Sequence, residues 1–532
     1  MRIVIHKKIL LSTIVFMFVL LSLPLSSKAA ECPTTGPISV TNYLKNCTVK
    51  PLYKNGHSMP RLSTWQYSGS GPLEFRKELA DEFNFAFSLG VDPIAALDRY
   101  NHPNPANSYI MDAHDSYELA KLNPEKYPIQ VHIWGSSNLE AELRYPESLW
   151  AHSLKGFPLR SKTEYWRIWG TEQPDSNMMI VSEERAYAFR AVSKDLNIAI
   201  ATYNGELNGN PSFDSKYGLP WSGDPKSVAA KGNSTWTEYF RDQWYKEKML
   251  TIRAVREAIP NRQLLVYYGN PISYKNLNSF DVIMQERYYK YGSFGSTWDQ
   301  GFSGRMATYR TMKSLSPVEP IFYDIVSPGL MHQPVDNVIN WNWISDMARY
   351  TGFLKQMFMS GSLGATTYWD AVWAPEANGT LDANKSSEHY KDFVSKDDPR
   401  NFFDNQFVQI SQVQAEFSYF EDIIRHGELL PGPNNTYEFP TGNADTHVLV
   451  RKRTGQSKWL ISAWTTTVGV SRNITVAIPG IGNISLNAIN AGHTYFHNGD
   501  SLYLADGANP ESPSIDLAAE YAKTNHGNLA GL

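Results

Sequence analysis

The sequence predicts an α/β chain: a (β/α)8, or TIM, barrel followed by a small antiparallel β-sandwich. Three observations predict it. Short apolar runs alternate with segments of helical period from about Met59 to Ile424, eight such runs can be marked, and after Ile424 the pattern changes to apolar–polar alternation with turn punctuation. At 532 residues, 42% hydrophobic and 19% charged, the chain is long enough for more than one core and has the composition of a folded protein.

Residues 1–30 read as a signal peptide. Arg2, Lys7 and Lys8 precede an apolar stretch from Ile9 to Leu25, and Ala29 and Ala30 supply small residues for cleavage. Ser12, Thr13, Ser22 and Pro24 interrupt that stretch, which argues against an uncleaved spanning helix. A secreted or periplasmic location follows, with no stable membrane insertion after cleavage. In the extension 31–58, Cys32 and Cys47 are the only cysteines, and export favours a disulfide between them, worth about 3 kcal/mol by loop closure.

The barrel is expected over residues 59–425. Its strand candidates are Arg61 to Trp65, Tyr109 to Asp112, Gln130 to Trp134, Ile198 to Tyr203, Leu264 to Tyr268, Val282 to Glu286, Ile321 to Asp324 and Gly364 to Trp369. Val91 to Leu97 is an alternative for one of the first two. Helical faces are read around Leu79, Phe83 and Phe87, around Phe189, Val192 and Leu196, and along Ile344, Met347, Thr351, Leu354 and Phe358. An open doubly wound sheet is the rival fold, but no Gly-rich phosphate turn follows an early strand. Val448, Val450, Ile474, Val476 and Ile478 alternate with polar or small neighbours, which predicts a β-sandwich over 426–506. The tail 507–532 is polar and rich in small residues.

In a barrel the site lies at the carboxyl ends of the strands. The residues there are Trp65, Asp112 with His114, His132 and Trp134, Tyr203 and Asn204 with Glu206, Tyr268, Glu286 with Tyr288, Tyr323 and Asp324, and Trp369 and Asp370. Carboxylates and aromatics together suit a carbohydrate cleft, since pyranose faces stack on flat side chains while hydroxyls need polar partners. Glycoside hydrolysis needs two carboxyl groups, one protonated and one ionised. Glu206 is the candidate acid/base. Glu286 is favoured over Asp324 as its partner because glutamate reaches farther and its surroundings are more aromatic. The remaining strand-end residues are candidate substrate ligands.

This layout resembles the clan A glycoside hydrolases. In that family the acid/base glutamate follows strand four and the nucleophilic glutamate ends strand seven, and many members carry a C-terminal β-sandwich like the segments Leu460 to Trp464 and Val476 to Gly480. The resemblance implies roles for Glu206 and a second acid. Two departures are visible: Gly205 stands between Asn204 and Glu206, where the family has Asn directly before the acid, and Glu286 ends strand six while strand seven ends in Asp324.

Two other functions fit the same features: a carbohydrate-binding barrel without catalysis, and a polysaccharide lyase, for which Arg61, Arg287 and His132 are few cations. Asp112, His114 and Asp115 lack metal-site spacing, so no metal or other cofactor is expected. With 49 basic against 53 acidic residues and no basic run, nucleic acid is not an expected partner.

Overall fold

The computed structural model describes residues 45, 50–64, 73–91, 114–133, 147, 152–159, 186, 189–190, 193–204, 220–236, 238–239, 253–260, 264–268, 282–288, 298–315, 318–327, 347–367 and 407–506. Residues 1–30, Cys32, Cys47, the expected strand Tyr109 to Asp112 and the tail from Gly507 lie outside them.

The first half of the fold is a parallel sheet. Its strands are β1 (Ser63–Thr64), β2 (Phe87–Val91), β3 (Ile129–Ile133), β4 (Ile198–Asn204), β5 (Leu264–Tyr268), β6 (Val282–Met284), β7 (Glu286–Tyr288), β8 (Phe322–Ser327) and β9 (Ser362–Thr367). The neighbour order is β1-β9-β8-β6-β5-β4-β3-β2, with β7 also on β8. A further parallel bridge, Leu62 to Phe85, joins the two ends of that path, so the ladder closes into a ring. Leu62 N–H donates to Asn84 O at 2.9 Å, and Ala86 N–H donates to Leu62 O at 2.8 Å. Among the described residues, closure pairs the two end strands of the ladder with each other.

Helices intervene between strands, as parallel connections require. Among the described residues they include α1 (Leu73–Glu82), α2 (His114–Leu122), α3 (Pro225–Lys231), α4 (Trp298–Leu315), α5 (Met347–Met359), α6 (Gln409–Ser418) and α7 (Glu421–His426). The boundaries of α3 follow from its ends: Asp224 caps Ser227 N–H at 3.3 Å, Pro225 opens the first turn and Gly232 closes the last.

The second strand is a correction. It is Phe87–Val91, and the helix expected to run from Leu79 through Phe87 stops at Glu82. Asn84 at φ 62° breaks the helical path. A step of four residues is also two steps of period two, so Leu79, Phe83 and Phe87 fit both patterns, while Phe85, Phe87 and Leu89 follow the strand period. Strand six differs in a smaller way: Gln285 divides it, and pairing extends to Tyr288.

From Gly427 onward the strands are antiparallel. A five-stranded sheet has the order β10 (Gly427–Leu429), β11 (Thr446–Arg453), β12 (Trp459–Thr465), β15 (His493–His497) and β16 (Leu502–Leu504). A two-stranded sheet pairs β13 (Arg472–Ile478) with β14 (Gly482–Ala488). Val448, Val450, Trp459 and Ile461 from the first sheet share one core with Ile474, Val476, Ile478 and Leu486 from the second.

The antiparallel unit is fused to the helices of the ring. Leu449, Leu460, Trp464 and Phe496 belong to the same core as the parallel strands. Gly352 on α5 lies so close to Trp464 that a Cβ there would sit 2.1 Å from the indole nitrogen, which requires glycine. Arg451 is fully buried and donates to the carbonyls of Ile423, Ile424 and Gly427 at the end of α7. Gly427 N–H closes the last turn on Ile423 O, and the guanidinium supplies further donors at this helix end.

Between α5, α6 and the antiparallel sheet sits a buried charge cluster. Lys355 Nζ lies 2.8 Å from Asp506 and 3.1 Å from Glu416, and His493 Nδ1 lies 2.5 Å from Asp506. Burial raises the Glu416 carboxyl to about 7 despite Lys355. The folded state therefore holds a proton on Glu416 that the unfolded chain releases at ordinary carboxylate pH. Stability contributed by that proton is present below about pH 4.5 and is lost as pH rises through about 7. Glu416→Gln, which cannot ionise, is expected to flatten the fall in unfolding midpoint between pH 5 and 7.5. Parallel pH profiles of wild type and variant would contradict this.

Candidate functional site

Alternation along each strand divides the ring into an outer and an inner face. Asp324 on β8 identifies the outer one. Its carboxylate accepts from Arg305 Nη1 of α4 at 2.8 Å and from Ser362 Oγ, so it faces the helices. Arg305 is held in turn by Ser360 Oγ at 2.8 Å and Ser362 Oγ at 2.9 Å, and its guanidinium lies 3.4 Å from the centroid of Phe322. Asp324 and Arg305 are both fully buried.

Tyr323, the preceding residue, faces inward. Its hydroxyl donates to Arg61 O at 2.9 Å and lies 2.8 Å from Ser63 Oγ, across β9. Burial raises the phenol far above its ordinary pKa.

On the same face a row of polar side chains crosses neighbouring strands. Ser88 Oγ donates to Gln130 Oε1 at 3.2 Å, and Gln130 Nε2 donates to Thr202 Oγ1 at 2.9 Å. Thr64, which follows the inward Ser63 and so has the opposite parity, reaches Ser88 Oγ with its Oγ1 at 3.0 Å from the strand end. All four are buried. Thr366, in register with Ser63 and Ile325, adds a buried hydroxyl without a hydrogen-bond partner. An apolar filling would serve packing alone; this lattice fixes the strands against one another through directional bonds.

Backbone register orders the strand ends above this lattice. His132 pairs with Thr202, and Asn204 pairs with Tyr268, which pairs with Met284. Ile283 pairs with Phe322 of the outer row. Glu286, three residues on, is in register with Ile325, which alternates with Tyr323 on the inner row.

The sequence candidates divide accordingly. Asp324, expected as an alternative catalytic partner, is locked in an ion pair behind the sheet and cannot meet a substrate in the ring. Tyr323, expected to bind substrate, has its hydroxyl committed to Arg61 and Ser63. His114 opens α2; His132, Tyr203, Tyr268 and Glu286 lie on strands as expected, and the strands extend to take in Asn204 and Tyr288 as well. Trp65, Asp112, Trp134, Glu206, Trp369 and Asp370 lie outside the described residues. Ser88, Gln130 and Thr202 were not singled out from the sequence, although polar residues at every second position of an otherwise apolar strand signal them. Among the described residues no group of three His, Cys, Asp or Glu side chains could hold a metal ion.

No sequence-family model matches the chain, and no curated protein does. Solved structures similar to it include glycoside hydrolases. A GH36 α-galactosidase from Geobacillus stearothermophilus is 10% identical over 80% of this chain, with a TM-score of 0.40. A GH42 β-galactosidase from the same organism is 11% identical over 69%, also at 0.40. A GH42 exo-carrageenase from Bacteroides ovatus is 10% identical over 86%, at 0.39. The chain spans 51% and 58% of the two galactosidases and 85% of the carrageenase.

Removing one partner of a buried ion pair leaves an uncompensated charge and costs about 3–5 kcal/mol. Asp324→Asn is therefore expected to lower stability by that amount in urea unfolding. An unchanged midpoint would contradict the structural role given to this carboxylate.

Proposed function

We propose that the chain is a secreted or periplasmic glycoside hydrolase. In this reading a (β/α)8 barrel with a C-terminal β-sandwich cleaves a polysaccharide or oligosaccharide between Glu206 as acid/base and Glu286 as partner. Register is the observation that carries it. Asn204, Tyr268 and Met284 pair across β4, β5 and β6 at one level. In the sequence Glu206 comes two residues after Asn204, and Glu286 two after Met284. Glu206 lies outside the described residues; a two-residue period carried on from Asn204 would give it the position that corresponds to Glu286, one strand away.

Neighbouring strands lie about 4.8 Å apart, which gives a backbone separation near 10 Å across two steps. Carboxyl pairs that flank a glycosidic oxygen lie about 5–9.5 Å apart, a gap that two inward-facing glutamates on such segments would span. One carboxyl then gives its proton to the leaving oxygen while the other, ionised, attacks the anomeric carbon or activates a water. The signal-like segment 1–30 supports export, and the aromatic residues named at the strand ends, Trp65, Trp134, Tyr203, Tyr268, Tyr288 and Trp369, supply faces for pyranose rings. Asp112, His114, His132, Asn204 and Asp370 supply partners for hydroxyls.

Glu206→Gln and Glu286→Gln are each expected to retain the fold and cut turnover at least about a hundredfold, the scale of a lost acid, base or nucleophile. Release of reducing ends from a panel of polysaccharides, with circular dichroism as the check on folding, measures it. Wild-type rates in either variant would remove that residue from the mechanism.

A further inference from the structure

Residues 152–159 form a small hairpin in the connection from β3 to β4. His152 bridges Pro158 in antiparallel pairing, Ser153 N–H donates to Phe157 O at 2.9 Å, and Gly156 N–H donates to Ser153 O at 2.8 Å. Ser153 Oγ also accepts from Phe157 N–H at 3.2 Å, and Gly156 takes φ 78°, where other residues are strained. The tip is therefore preorganised. What it presents is unusual for a turn: Leu154 is 88% exposed and Phe157 67% exposed, with Lys155 between them.

The base of the hairpin is polar. His152 Nε2 lies 2.6 Å from a carboxylate oxygen of Glu147. Leu159, its last residue, lies against the turn Pro220–Gly223, where a Cβ on Gly223 would be 3.7 Å from Leu159 Cδ1. That turn belongs to the connection leaving β4, which begins with Gly205 and Glu206. The hairpin and the turn it touches thus come from the two connections that flank β4, the second of which carries Glu206 in the sequence.

We infer that this hairpin is a distal sugar-binding subsite, taking a segment of a polysaccharide chain away from the bond being cleaved. This rests on the glycosidase reading above. A whole aromatic side chain carries about 150–250 Å², so Phe157 and Leu154 together offer a few hundred at most. A stable protein interface needs about 800 Å² from each partner, whereas one or two pyranose rings match the smaller patch. Flat apolar surface beside a hydrogen-bonding His–Glu pair is the chemistry by which sugars are held. Lys155 adds a donor at the tip.

The test compares wild type with Phe157→Ala and with Leu154→Ser/Phe157→Ala. Affinity electrophoresis through konjac glucomannan, locust-bean galactomannan, barley β-glucan and ι-carrageenan reads binding without catalysis. Kinetics on the retarding polymer and on small aryl glycosides reads the subsite's place in turnover. The expected result is loss of retardation and a KM about tenfold higher on the polymer, with small-substrate kcat/KM changed less than about twofold. Equal effects on both substrates, or none on either, would overturn the subsite. So would a change in oligomeric state on the same substitution, or wild-type binding to phosphatidylcholine–phosphatidylglycerol vesicles that the variants lose. If wild type is retarded and the variant is not, yet no polymer yields reducing ends, the subsite stands and the hydrolase reading fails.

Discussion

A closed ring of parallel strands has only one inside, and the two-residue period of each strand decides which side chains enter it. Every functional assignment here depends on that constraint. Asp324 and Tyr323 are neighbours in sequence, yet one is held by Arg305 among the helices and the other reaches Ser63 across the interior. A carboxylate one residue out of phase is excluded from the cleft whatever its chemistry. The same parity puts Glu286 at the level of Ile325 and leaves it, rather than Asp324, as the candidate partner for Glu206.

The two faces of the ring are stabilised differently. Outside, Arg305–Asp324 and Lys355–Asp506 are ion pairs without access to water, tolerated because the charges are paired and hydrogen-bonded, and Glu416 beside Lys355 is pushed by burial toward its neutral form. Inside, the lattice of Ser88, Gln130 and Thr202 is neutral and joins three strands through hydrogen bonds between uncharged side chains. The antiparallel unit completes the outer shell. Its Trp464 and Arg451 are buried against α5 and α7, which makes it part of the same core rather than a tethered module.

Much of the fold was legible because strands and helices write different periods into the chain. β3, β4, β5, β8 and β9 lie within two or three residues of their expected limits. β2 was not, because Leu79, Phe83 and Phe87 satisfy both periods and only the backbone at Asn84 separates them. Of the candidate site, the facing of Asp324 and Tyr323 was not legible. Asp324 ends an apolar run as a catalytic acid would, and its ion pair depends on Arg305, which comes from a separate helix. The interior lattice was hidden for a related reason: Ser88, Gln130 and Thr202 are ordinary polar residues until the ring brings three strands side by side.

The separation between the carboxyl carbons of Glu206 and Glu286 in a crystal structure bears most directly on the central claim. The account predicts about 5–5.5 Å if the reaction retains configuration, or about 6.5–9.5 Å if a water is accommodated and configuration inverts. A distance well beyond about 9.5 Å, or a Glu206 carboxylate turned to the helix side of the ring, would contradict it.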